Sequence, residues 1–146
     1  MGFADSVSAT ATKMQKQVND KAIEIASDLF NTVVTKTPVG ESKTRGQLIN
    51  NWWTAEGVGN YNTSYSPSFN TSGTGSYSRI AALKDSQEFI GKDGAVSLTN
   101  SVPYAYRAEY FGWNFSAPEP RWRGTAPYAM VRNSLTAIAA KYKGTV

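Results

Sequence analysis

The first third of the chain carries the clearest periodicity of apolar residues. From Val7 to Val33 they recur every three or four positions, which places them on one face of a helix. The pattern predicts one long helix over residues 1–37, because Thr37 precedes a proline and is pushed out of the helical region. About 30 residues at roughly 1.5 Å each give a rod of about 45 Å. So long a rod should extend beyond its own core and need a neighbour.

Shorter apolar segments follow and predict a small sheet. Residues 48–55 have strand character, and Trp52 and Trp53 would then point to opposite faces because the strand repeat is two. Residues 95–99 alternate in the same way. One tryptophan can then belong to the core, while the other should meet a helix or another chain.

The remaining apolar segments predict short helices. One covers residues 78–89. A second starts near Pro103 and places Tyr104, Ala108 and Phe111 on one inward face. The last starts after Thr125 and buries Leu135 and Ile138, together with Met130 or Val131. The expected fold class is therefore α+β: a single domain over residues 1–146, with a small, mostly antiparallel sheet packed by the long N-terminal helix and the C-terminal helix.

Residues 57–77 break the pattern. They are rich in Gly, Ser, Thr and Asn, lack an aliphatic face, and carry the aromatic residues Tyr61, Tyr65 and Phe69. A flexible surface loop is the first interpretation. The alternative is an arm inserted in the domain that orders against a neighbouring subunit, with the aromatic side chains as anchors.

Composition narrows the possible chemistry. The 146 residues contain no cysteine and no histidine, which excludes disulfides and thiolate metal sites and removes the commonest general base. The acidic residues are scattered singly, so we expect no catalytic, cofactor or metal site. The net charge of +4 is mild and dispersed, which predicts weak affinity for polyanions. No apolar run approaches the roughly 20 residues that cross a bilayer, and we expect no membrane partner.

Four short motifs occur in a recognisable order. The long helix ends at Thr37-Pro38, a Gly-x-Leu-x-x-x-Trp segment runs from Gly46 to Trp52, and Asn-x-x-Pro-Tyr-Ala runs from Asn100 to Ala105. An Ala-Pro turn at residues 126–127 then opens the last helix. In this order the motifs resemble those of the tail-completion and head–tail neck proteins of tailed bacteriophages. Two features depart from that family: the arginine usual after the leucine is missing, and the insert at 57–77 has no counterpart.

The resemblance implies a structural virion protein and no enzyme. Such a protein would form a homo-oligomeric ring that caps the tail tube and connects it to the head, usually with six copies and in some cases with twelve. Its partners would be portal, adaptor or stopper proteins on one side and tail tube or terminator proteins on the other. DNA would pass through without sequence-specific binding. Assembly would take place in the cytoplasm of the host bacterium, and the final location would be the neck of the virion.

Candidate contact residues follow from this interpretation. Leu48, Trp52 and Tyr104 would be core residues, while exposed loops at 39–47, 57–77 and 113–124 would face neighbours. We expect Glu109 to form a structural ion pair or to cap the following loop, and the alternative is an intersubunit salt bridge. The aromatic loops also leave open a carbohydrate- or peptide-binding module. The residues expected at a subunit or partner interface are Trp53, Tyr61, Tyr65, Phe69, Tyr106, Trp113, Arg121, Trp122 and Arg123.

Overall fold

The computed structural model describes residues 2–40, 45–57, 59–64, 70–85, 95–113 and 124–144. Within them the chain forms helices and one two-stranded sheet. The elements are α1 (Phe3–Thr35), β1 (Trp53–Glu56), α2 (Thr74–Asp85), β2 (Val96–Thr99), α3 (Ala105–Tyr110) and α4 (Met130–Lys141). The two strands pair antiparallel, with Trp53 opposite Thr99 and Glu56 opposite Val96. The predicted α+β class, with a long N-terminal helix and a C-terminal helix, is confirmed.

One apolar core joins the elements. It buries side chains from the C-terminal half of α1, from residues 48–52, from α2 and α3, and from the start of α4. Its members are Phe30, Val33, Val34, Leu48, Ile49, Trp52, Ile80, Leu83, Val102, Ala105, Ala108 and Met130. Leu48 and Trp52 are buried as predicted. Tyr104 is half-buried and packs against the same cluster.

Helix α1 is longer than the core that it covers. Its 33 residues span about 50 Å. Side chains from Gly2 to Val18 are all exposed, whereas Ile23, Phe30 and Val33 are buried. The C-terminal half packs against α2 and α4. The predicted excess of helix length over core is confirmed.

Residues 45–52, here called the central segment, are not the start of a strand. The amide of Asn50 donates to the Gly46 carbonyl at 3.1 Å, which is a helical turn. Backbone groups further along bind to α2: Ser76 Oγ donates to the Ile49 carbonyl at 2.6 Å, and Arg79 donates to the Asn50 and Trp52 carbonyls at 3.0 and 2.9 Å. The predicted strand over 48–55 is therefore wrong before Trp53, because side chains of α2 satisfy the carbonyls that a strand would pair.

Four other expectations need correction. The last helix begins at Met130 and not directly after Thr125, because Ala129 just before it has a left-handed backbone with φ +47°. Helix α2 begins at Thr74, so the prediction of a continuous loop over 57–77 is wrong for its last four residues. The Asn70 side chain accepts the amide of Thr74 at 3.3 Å and so supports this earlier start. Phe111 and Leu135 were predicted to be buried, but 64% and 50% of their surfaces are exposed. Phe111 follows the end of α3, where the chain has left the helical face that Ala108 buries.

Candidate subunit interface

A row of exposed apolar side chains runs along the N-terminal half of α1. We call Phe3, Val7, Met14 and Val18 the α1 stripe; they are exposed by 87, 52, 60 and 63%. The row continues along α1 to the half-buried Leu29, because Leu29 lies eleven residues after Val18 and eleven residues are close to three helical turns. The buried side chains of Phe30 and Val34 lie on another face, at least about 120° around the helix from the stripe. The stripe therefore extends the partly covered edge of α1, and not its buried face, beyond the fold.

The flanks of the α1 stripe carry no charge. Between residues 2 and 20 the charged side chains are Asp5, Lys13, Lys16 and Asp20. At 100° per residue, all four lie on the opposite side of the helix. Lys16 and Asp20 pair there at 2.8 Å, in water. An apolar face with uncharged flanks is suited to burial against protein, since no ion would lose its solvent.

The stripe leads into an open apolar groove. The groove runs along α1 from Met14 to Phe30, has a volume of about 720 Å³, and is bounded on its other side by Val96 of β2. The small side chains of Ala22 and Ala26 line it, and so do the polar side chains of Gln17 and Lys21. The accessible apolar surface of α1 therefore extends past Val18 toward the core.

A second exposed apolar patch lies on and just after α3. We call Tyr106, Tyr110 and Phe111 the α3 aromatic cluster. The ring centre of Tyr106 lies 4.8 Å from that of Tyr110 and 5.7 Å from that of Phe111, with interplanar angles of 45 and 49°. The guanidinium of Arg132 lies 4.8 Å from the Tyr110 ring centre. These contacts hold the rings together, although more than 45% of each residue remains exposed.

Glu109 fixes α3 against the start of α4. Its side chain is buried, and its carboxylate accepts the amides of Val131 and Arg132 at 3.0 and 3.2 Å and Arg132 Nε at 3.2 Å. A guanidinium nitrogen of Arg132 also donates to the Glu109 carbonyl. Glu109 thus caps the N-terminus of α4, where a negative charge is favoured. The expected ion pair within the chain is present, but the capped element is α4 and not the loop that follows α3.

Two adjacent buried asparagines, Asn50 and Asn51, bind the backbone within residues 57–77 at two points. Asn51 Nδ2 donates to the Ser64 carbonyl at 2.9 Å, and Asn51 Oδ1 accepts the Ser64 amide at 2.7 Å. Asn50 Nδ2 donates to the Asn70 carbonyl at 2.7 Å. The central segment therefore anchors the chain on both sides of residues 65–69.

A polar contact joins the C-terminal half of α1 to the end of α4. Tyr142 donates its hydroxyl to Asp28 Oδ2 at 2.8 Å, and Lys141 pairs with the same oxygen. The hydrogen bond to the Asp28 carboxylate, followed by burial and the negative charge, raises the pKa of Tyr142. The separate hydrogen bond that Lys141 Nζ donates to the Asp28 carboxylate raises the pKa of Lys141.

The predicted interface residues fall into three groups. Tyr61 and Tyr106 are exposed by 71 and 66%. Trp53 and Trp113 are half-buried: Trp53 lies 3.6 Å below the Arg79 guanidinium, and Trp113 packs against the core. The stacking of Trp53 on α2 confirms that this tryptophan meets a helix. The predictions for Tyr65, Phe69, Arg121, Trp122 and Arg123 concern positions outside the described residues.

The prediction of interface residues from the sequence omitted the α1 stripe, Tyr110 and Phe111. The signal for the stripe was present, since the periodicity continues far beyond what one small core can cover. No signal separated Tyr110 and Phe111 from core residues.

No three acidic side chains of the described residues converge on a possible metal position. No helix in the described ranges has an apolar stretch long enough to cross a bilayer. Comparisons with models of protein families, with characterised proteins and with solved structures found no significant match.

Proposed function

We propose that the chain is a structural component of a tailed-bacteriophage neck, a tail-completion protein whose copies form a ring between the tail tube and the head. The observation that carries this proposal is the α1 stripe, an apolar helix face that none of the described residues covers. A side chain such as Phe3, exposed by 87%, is expected at a contact with another protein.

The order of the sequence motifs supports the same function. Gly46 to Trp52 belongs to the central segment, which binds Thr37 just after α1, Ser76 of α2 and the Asn100 side chain. Pro103 to Ala105 leads directly into α3, which carries the second apolar patch. The motifs that resemble the neck family therefore lie in the parts of the fold that place the two patches. Separate patches on one chain permit contacts between different surfaces, and such contacts form a ring when the rotation from copy to copy closes.

The proposal is tested on virus particles. The chain should be present in purified virions, and negative-stain images of particles assembled without it should show heads and tails that fail to join. Restoring the protein should restore joining, and an antibody against it should label the neck. Normal joining in its absence, or labelling elsewhere on the particle, would refute the proposed function.

A carbohydrate- or peptide-binding module is the second candidate, and the exposed α3 aromatic cluster is the observation that favours it. Tilts of 45 and 49° between the rings make the cluster less flat than a stacking platform for one sugar ring. Titration with oligosaccharides and short peptides, followed by chemical shifts of the Tyr106 and Tyr110 rings, distinguishes this candidate. Saturable shifts would support it, and unchanged spectra would remove it.

A further inference from the structure

Most of the exposed apolar surface lies in two patches. Nine large apolar side chains are exposed among the described residues; four form the α1 stripe and three form the α3 aromatic cluster. We propose that the α1 stripe of one copy packs against the α3 aromatic cluster of the next copy, so that subunits join head to tail. This inference rests on the proposed ring for the number of copies, while the contact itself depends only on the two surfaces.

The area of the two patches is close to what a protein contact requires. Full burial of their seven side chains would remove on the order of 900 Å² from water. Stable interfaces bury about 1,200–2,000 Å² in total. The groove from Met14 to Phe30 is continuous with the stripe and supplies further apolar area. The two patches with the groove therefore come to about 1,000 Å², below the stable range, so the contact between isolated chains is expected to be weak.

The charges beside both patches permit this burial. The stripe has uncharged flanks on α1. Beside the aromatic cluster, Arg132 is paired with Glu109, and Arg107 Nε donates to the Gly112 carbonyl at 2.9 Å. Lys21 lines the groove and is paired with Glu24 at 3.3 Å. Among the described residues, bringing the patches together therefore need not separate a charge from its partner.

The same charges argue against other occupants. A helix that lies on an acidic membrane or along nucleic acid carries an excess of lysine and arginine beside its contact face. Residues 2–20 carry two lysines and two aspartates, all away from the stripe. A protein surface is the occupant that suits a neutral apolar face.

A head-to-tail contact accounts for both patches at once. Pairing of two α1 stripes would be symmetric and would form a closed dimer, leaving both aromatic clusters in water. Contact between a stripe and a cluster instead leaves a free stripe at one end of each pair and a free cluster at the other. Copies then add until the ring closes, which is the arrangement that the proposed function needs.

Cross-linking tests the contact, because the chain has no cysteine and every introduced thiol is unique. One protein carries Met14→Cys and a second carries Tyr110→Cys; both positions are exposed, so the fold is retained. The two are mixed at the highest attainable concentration and treated with a short bismaleimide. The matched control replaces Met14→Cys with Lys16→Cys, two residues away on the opposite side of α1. Unchanged thermal melting of each variant verifies folding.

We expect a covalent dimer in the first mixture, in a yield roughly tenfold above the Lys16→Cys mixture, because contact raises the local thiol concentration. Adding Val18→Lys to the Met14→Cys chain should reduce this yield to the control level. Equal yields in the two mixtures would overturn the inference. Dimers from Met14→Cys alone would also overturn it, since they require stripe-to-stripe pairing.

The test of the contact between copies and the test of the proposed function in the virion can fail independently of each other. The cross-link is measured on purified protein and needs no particle. Particles that contain the protein in their necks but give no cross-link above control would refute the contact and leave the proposed function intact. A specific cross-link in a protein that is missing from virions would refute the function and leave the contact intact.

Discussion

Removal of the Glu109 carboxylate should destabilise the junction of α3 and α4 more than any surface change nearby. The carboxylate is buried and accepts two backbone amides of α4 and one guanidinium N–H. Hydrogen bonds to a charged group contribute about 1.5–3 kcal/mol each, and loss of one partner of a buried pair costs about 3–5 kcal/mol. Because Arg132 is half-exposed and can regain water, we expect about 3 kcal/mol for Glu109→Ala.

Two further variants separate the parts of this effect. Glu109→Gln keeps the size and one acceptor oxygen but loses the charge at the helix N-terminus, and should cost about 2 kcal/mol. Arg132→Ala leaves the carboxylate bound to both backbone amides and should cost about 1 kcal/mol. The expected order of destabilisation is therefore Glu109→Ala, then Glu109→Gln, then Arg132→Ala.

Urea unfolding followed by tryptophan fluorescence measures these differences, and the chain has four tryptophans as reporters. The slope of the unfolding free energy against urea concentration should be unchanged, while the urea concentration at the unfolding midpoint falls. The melting temperature of Glu109→Ala should be lower by roughly 10 °C. A loss below about 1 kcal/mol for Glu109→Ala, or an Arg132→Ala cost equal to it, would show that the carboxylate does not cap α4.

Three other predictions follow from particular contacts. Gly112→Ala should lower the free energy of unfolding by about 3–4 kcal/mol, because Gly112 has φ +64° and a Cβ there would lie 2.1 Å from the Thr125 carbonyl oxygen. The control is Gly144→Ala, at φ +81° with no described atom within 4 Å, which should cost about 1 kcal/mol in the same denaturation assay. Ser27→Ala should raise the free energy of unfolding by about 1 kcal/mol, because its fully buried hydroxyl finds no hydrogen-bond partner among the described residues; a loss of stability would contradict this. Asp28→Asn should lower the pKa of Tyr142 toward its ordinary value of 10.0, as measured by ultraviolet absorbance titration. Since the folded-state pKa of Tyr142 is raised, its contribution to stability is complete below pH 10 and is lost as the pH rises through the raised pKa. If Tyr142 titrates in Asp28→Asn as it does in the unchanged protein, the contact is rejected.

Local patterns in the sequence determined α1 and its length. Helical periodicity depends on residues three and four positions apart, and the stop at Thr37-Pro38 is a property of two adjacent residues. Burial of Leu48 and Trp52 was expected from the resemblance of their motif to the neck proteins. The sequence further showed that the apolar face of α1 is longer than one small core, which is the basis of the proposed interface.

Only the tertiary structure decided which half of that face is covered. The periodicity is continuous from Val7 to Val33, and the boundary near Val18 depends on where α2 and α4 pack. The same holds for the central segment. Its residues have strand propensity, but Ser76 and Arg79, more than twenty residues away, bind its carbonyls and hold it in a turn. Long-range hydrogen bonds of this kind leave no periodic signal in the sequence, so the roles of Glu109 and the α3 aromatic cluster became visible only in three dimensions.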